Sequence, residues 1–130
     1  MRVTEINKKG NWSSSLWTLS MKEALKNSKN NTCVGEKLLL ETTTFKVWSI
    51  YLAPGKTLAF HKHNKPYFYT IKNDGKSRSF YEDGSITETY YKKDAIKYFS
   101  NLNKENYFIH NLENIGNTTL IFTTTEFKIA

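Results

Sequence analysis

The chain is poor in covalent constraints. Cys33 is its single cysteine, so no intramolecular disulfide can form. That agrees with a reducing compartment, and a cytoplasmic location is expected. Cys33 has no histidine beside it in the sequence and reads as a packing residue rather than a catalytic thiol. No apolar run approaches the roughly 18 residues of a membrane span, so no membrane partner is expected. The first ten residues lack the hydrophobic stretch of a secretory signal. The glycosylation-type triplets at Asn11, Asn30 and Asn117 therefore read as accidental. The chain is basic, with formal net charge +7, yet it has no basic run of five or more residues. Nucleic acid is therefore not the expected partner. A scattered positive field mildly favours a small anionic substrate. Internal repeats, low-complexity tracts and linkers are absent as well.

What the chain does have is aromatic and β-branched residues in short runs. Residues 1–17 read as an extended segment with Trp12 and Trp17. Ser20 and Glu23 have the spacing of a capping box, which predicts a short helix over 20–28, ended by a polar loop at 27–31. From residue 35 the pattern becomes that of strands, predicted over 37–43, 45–52, 57–63, 67–72, 77–81, 86–91, 95–99, 107–112 and 119–128. Turn signals separate them. Pro54-Gly55 breaks one run, and Pro66 is tolerated at the start of the strand that follows it. Asn73-Asp74-Gly75 predicts a tight hairpin, and Glu82-Asp83-Gly84 a second turn of the same kind. Many short strands with closely spaced turns and no long helix predict an antiparallel all-β sandwich or barrel. The expected organisation is an N-terminal extension, residues 1–34, packed on the barrel or on a partner subunit, and a β-barrel over 35–130.

Three histidines carry the chemistry. His61 and His63 stand at i and i+2, which on a strand puts both imidazoles on one face, about 6.5–7 Å apart. Two such rings can converge on one cation. The third, His110, lies in a later apolar stretch. If the fold returns it to the other two, the result is a three-nitrogen cage with open positions, suited to a divalent transition metal: Fe, Zn, Ni or Cu.

At these residues the chain resembles a known family. Ala53-Pro54-Gly55, then Gly55-x5-His61-x-His63 and an aromatic run to Gly75, resembles the first motif of the cupin superfamily. His110-x3-Asn114 followed by Gly116-Asn117 resembles the end of its second motif. The resemblance covers about residues 35–130. It implies an antiparallel jelly-roll barrel, here with a short N-terminal helix, and a metal at the barrel mouth held by His61, His63 and His110. It also implies a homodimer, since cupins often pair through edge strands. The departures are specific. The family's usual glutamate after the second histidine is absent, and Tyr67 or Phe68 stands near its place. The Pro-x-Gly lead-in to the second motif is missing too.

The lost carboxylate has a chemical consequence. Three neutral imidazoles leave the full charge of the dication and more open positions. That suits a small substrate bringing its own anion. Among metals Fe(II) is favoured, with Zn, Ni, Mn or Cu as alternatives, and the chemistry leans to dioxygenase type over lyase or isomerase. A non-catalytic ligand- or metal-binding module is the alternative reading.

Strand alternation carries the face of His61 and His63 on to Tyr67 and Tyr69 if no bulge intervenes at Pro66. A phenol beside a dication has a lowered pKa and can transfer protons. Tyr67 and Tyr69 are therefore either catalytic or orienting groups, or barrel filling. Asn114 reads as a turn-fixing residue, Trp48 as core, and Phe60 and Phe108 as walls of the pocket or packing behind it.

Overall fold

Strands dominate because the chain offers alternating β-branched and aromatic residues almost everywhere past residue 35. The computed structural model describes residues 1–128, so the last two positions of the expected 35–130 barrel lie outside the described residues. In chain order the elements are β1 (Arg2–Asn7), α1 (Leu19–Asn27), β2 (Lys37–Glu41), β3 (Phe45–Leu52), β4 (Thr57–His63), β5 (Tyr67–Ile71), β6 (Gly75–Phe80), β7 (Ile86–Tyr91), β8 (Ile96–Phe99), β9 (Phe108–Asn114) and β10 (Leu120–Phe127). They form two five-stranded sheets, ordered β1-β7-β6-β9-β4 and β2-β3-β10-β5-β8. Every described strand pair is antiparallel. The architecture is the two-sheet jelly roll that the histidine motifs implied. No described helix is long and apolar enough to cross a membrane.

Two hydrophobic cores flank the β4–β9 sheet. The inner one lies between the sheets and includes Ile50, Leu52, Ile71, Leu112, Leu120 and Phe122. The rear one lies on the sheet's other face, where Phe60, Phe80, Ile86 and Ile109 pack against Trp17 and Leu25 of the N-terminal segment. Alternation creates this division. Successive residues of a strand point to opposite faces, so Phe60 and Ile109 go to the rear while His61 and His110 go inside.

Trp17 anchors the rear core. Its ring meets Phe80 edge-on at 5.0 Å and stacks on Phe60 at 6.4 Å, and its indole N–H donates to the Gly84 carbonyl at 2.8 Å. Trp12 packs on Trp17 with centroids 4.8 Å apart. Trp17 thus buries its apolar area on its own barrel, whereas Trp12 stays partly exposed. Gly84 has φ +92°, and a Cβ there would lie 3.1 Å from Trp12, so the turn and the packing both call for glycine.

Several local expectations change. The helix starts one residue earlier than expected, and its cap is Thr18, whose hydroxyl accepts from the Met21 N–H at 3.2 Å, in place of Ser20. Trp17, pinned immediately before it, sets where the chain can turn into the helix. The Asn73-Asp74-Gly75 turn closes no hairpin: β5 and β6 belong to different sheets, so the turn carries the chain across the sandwich. The Asp74 carboxylate accepts from the Lys93 N–H there. Glu82-Asp83-Gly84 does close a hairpin, with Phe80 opposite Ile86. Residues 1–17 hold a true strand, since β1 pairs along β7. Cys33 is exposed and not packed.

Candidate metal centre

His61 and His63 come from β4 and His110 from β9, adjacent strands with His61 directly opposite His110. That pairing decides the site, because facing residues of an antiparallel pair carry their side chains on the same face. The register slips between Leu58 and His61. The bulge brings Leu58 and His61, three positions apart, both to the cavity lining. It also leaves the Ala59 carbonyl where the His61 ring reaches it at 2.7 Å. A carbonyl only accepts, so His61 Nδ1 carries the proton and Nε2 is bare for a ligand.

The ring centroids lie 4.8 Å apart for His61–His63, 4.8 Å for His61–His110 and 5.1 Å for His63–His110. One ligating nitrogen from each ring can be chosen such that all three lie within 4.8 Å of one another. Burial lowers the pKa of His61 to about 4, with the Ala59 bond pulling the other way. Burial pushes His63 and His110 well below the ordinary histidine value, and repulsion from neighbouring imidazoles adds to it. All three are neutral near pH 7, the state in which imidazole ligates metal.

Two polar atoms here have no protein partner. The Nδ1 atoms of His63 and His110 are buried and unbonded among the described residues. An unsatisfied buried group costs about 1–3 kcal/mol. Three neutral convergent imidazoles, two of them with orphaned nitrogens, fit a divalent transition ion.

Where hydrogen bonds do not orient the rings, aromatic contacts do. Tyr67 stacks on His63 at 4.1 Å and 17°, and Phe99 stacks on the far side of Tyr67 at 4.7 Å and 13°. Phe108 packs on both His63 and His110, at 5.0 and 4.9 Å. Tyr81 sits against His110 at 5.3 Å and bridges to its backbone. Phe60 packs behind the sheet, whereas Phe108 walls the pocket.

Tyr67 and Tyr69 both line the cavity with the histidines. They face inward by another route than alternation along one sheet. β4 and β5 lie in different sheets, and residues 64–66 carry the chain across, so inward on one sheet becomes inward on the other. The protein surroundings push both phenols up, burial first and neighbouring tyrosines second. This is opposite in direction to the effect of an adjacent dication.

Three further residues carried little sequence signal. Asn31 edges β4: its carbonyl accepts from the Lys62 N–H at 2.7 Å and its side chain donates to the Phe60 carbonyl at 2.9 Å. Lys97 faces the cavity from β8, opposite Tyr69. Glu126, opposite Tyr67 on β10, is a buried inward carboxylate, but it does not line the cavity. A polar residue in a loop and inward parity on a short edge strand were the only signals for the first two. Asn114 serves the turn. Its side-chain amide donates to the Leu52 and Thr118 carbonyls and its oxygen accepts from the Gly116 N–H.

No sequence-family model matches the chain, and no curated protein matches it in sequence. Solved structures do. The chain is similar to a cupin domain from Bordetella pertussis at 19% identity and TM-score 0.60, covering 77% of this chain and 97% of that one. It is similar to an uncharacterised conserved protein with a double-stranded β-helix domain from Klebsiella pneumoniae at 19% identity and TM-score 0.55, over 79% of this chain and 85% of that one. A cupin family protein with a double-stranded β-helix fold from Methanocaldococcus jannaschii matches at 22% identity and TM-score 0.55, over 70% and 76%. At such identities the likeness concerns the fold.

Proposed function

Starting from the cupin fold, we propose that this barrel is a metal-dependent enzyme acting on a small anionic molecule, with His61, His63 and His110 holding a divalent transition metal. The observation that carries this reading is the set of three neutral imidazoles, His61 and His63 buried and His110 half-buried, with nitrogens within 4.8 Å of one another. Fe(II) is favoured over Zn, Ni, Mn and Cu. On three neutral ligands such an ion supplies Lewis acidity at open positions and, as iron, dioxygenase-type chemistry.

The chain's own residues do the rest. Tyr67 holds the His63 plane by stacking, and Phe108 packs against it at a tilt. Leu58, Phe99 and Phe108 exclude water around the ligating face. Burial keeps Tyr67 and Tyr69 protonated, so each offers an O–H to orient an anion and neither acts as a resting base. Tyr69 now donates to Met1 Sδ at 3.3 Å, a weak acceptor that a substrate oxygen would replace.

A specific observation favours a second reading, a non-catalytic ligand-binding barrel. No carboxylate lines the cavity among the described residues, and burial shifts its histidines and Tyr67, Tyr69, Tyr81 and Tyr91 away from neutrality. No group there is poised to exchange protons at pH 7 without a metal. Elemental analysis of protein purified without chelators or a metal-binding tag tests the first reading. Near-stoichiometric metal is expected in the wild type and its loss in His61→Ala and in His110→Ala. A wild type that takes up no metal on reconstitution overturns the enzyme and leaves the binding barrel.

A further inference from the structure

The composition of the cavity says more than that its ligand is small. Its volume is about 270 Å³, near the small end of ligand pockets. Its walls are aromatic on both sheets, with Tyr81, Tyr91 and Phe108 on one and Tyr69, Phe99 and Phe122 on the other. These rings are set to present faces and edges together. Phe122 is edge-on to Tyr69 at 84° and to Tyr91 at 82°, while Phe99 lies in the stack that runs through Tyr67 to His63. Such geometry welcomes a further planar ring, since offset-stacked and edge-to-face pairs contribute beyond their area burial.

One formal charge faces this space among the described residues, that of Lys97. It stands on β8, an edge strand, beside Tyr69 and two residues before Phe99. Its ammonium lies 5.2 Å from the Phe99 centroid, so the half-buried side chain is held over the aromatic wall at the rim of the cavity. Among the described residues no carboxylate pairs with it: the ion pairs there use Lys29, Lys76, Arg78 and Lys128. Beside any metal the histidines hold, an anion entering the cavity meets one side-chain cation, set to one side of a ring-lined chamber.

We propose that the cavity binds a planar aromatic carboxylate, its ring packed on the Phe99–Phe108 wall and its carboxylate paired with Lys97. This rests on the reading of the cavity as the ligand site, but it does not depend on a metal. Lys97 is then a specificity residue, selecting for charge, while the rings select for planarity. The aliphatic acids that a merely basic protein attracts do not satisfy the second requirement.

Isothermal titration with three probes of similar size tests both halves. These are cinnamate, its neutral amide, and the saturated 3-cyclohexylpropanoate. Each is titrated into protein as purified and into protein stripped of metal with chelator. Cinnamate is expected to bind at least tenfold more tightly than either of the others. Lys97→Gln is expected to weaken cinnamate about tenfold and leave the amide unchanged, and Lys97→Arg to restore most of the loss. Equal affinity for cinnamate and its amide, equal affinity for cinnamate and the saturated acid, or no binding of cinnamate at all overturns the proposal. So does an unchanged affinity in Lys97→Gln. Cinnamate binding that requires Lys97 in a protein without metal keeps this proposal while the metal reading fails. Metal held by the histidines with no cinnamate binding does the reverse.

Discussion

The β4–β9 pair is buried on both faces, and the two faces are filled on opposite principles. Behind it, Trp17, Phe60, Phe80, Ile86 and Ile109 pack with no titratable group among them. In front of it, three imidazoles, several phenols and one ammonium surround open space. The front is expensive: two imidazole nitrogens are buried without partners, and each neutral ring has lost its hydration. The rear supplies what the front lacks. A strand whose outer side chains are locked in a close-packed core cannot rotate its inner ones out of alignment. The N-terminal segment, which sequence-based reasoning left outside the barrel's purpose, is thus the backing plate of the site.

Trp17→Ala strikes the rear face most directly. Removing a buried tryptophan costs about 3–5 kcal/mol. Urea unfolding is expected to show that loss equally at pH 7.5 and pH 5.5, because the rear core does not titrate. If the midpoint is unchanged, the N-terminal segment does not back the site.

Acid strikes the front instead. His61 titrates at about 4 in the folded chain and near the ordinary 6.5 when unfolded. The unfolded state therefore binds more protons between those values, and stability falls as pH is lowered through them. His61 alone contributes roughly 3 kcal/mol, present in full above pH 6.5 and lost by pH 4. His63 and His110 act in the same direction. In metal-free protein the urea midpoint is expected to drop between pH 7 and pH 4.5, and His61→Ala to flatten that dependence. Equal slopes in the two proteins would contradict the burial of a neutral His61.

Asn31→Ala probes the edge where the two faces meet. It deletes the side-chain bonds to the Phe60 carbonyl and from the Cys33 N–H while leaving the backbone bond to Lys62. A loss of about 1–2 kcal/mol is expected, together with weaker metal retention on dialysis. The smallest effect belongs to Tyr67→Phe, which keeps the stack on His63 and removes only the hydroxyl. Stability within about 0.5 kcal/mol of wild type and unchanged metal content are expected, whereas Tyr67→Leu should release metal more readily. If both variants retain metal equally, stacking does not orient His63.

The histidine site was legible to an unusual degree because its signal is local. His61 and His63 are two residues apart, and period-two alternation is enough to put them on one face. The lead-in Ala53-Pro54-Gly55 marks a turn that glycine suits, with Gly55 at φ +82°, and the closing Asn114-x-Gly116 one that the Asn114 side chain ties down. The hairpin at Asp74-Gly75 misread the chain for the complementary reason. A turn signal says that the chain reverses, not which sheet receives it. Ser20 had the capping pattern, but Thr18 took the role, since the position of Trp17 in a distant core decides where the helix begins. Asn31 and Lys97 were invisible because each works on a strand far away in sequence.

Strand periodicity, turn chemistry and the three histidines are written in the sequence, because each depends on neighbours within a few residues. That much determined an antiparallel barrel with imidazoles facing inward. Only the tertiary structure could pair His61 with His110, set Tyr67 against His63 and put Trp17 behind Phe60. Those contacts depend on register across strands and on which sheet each strand joins, and both are settled when the two cores close together.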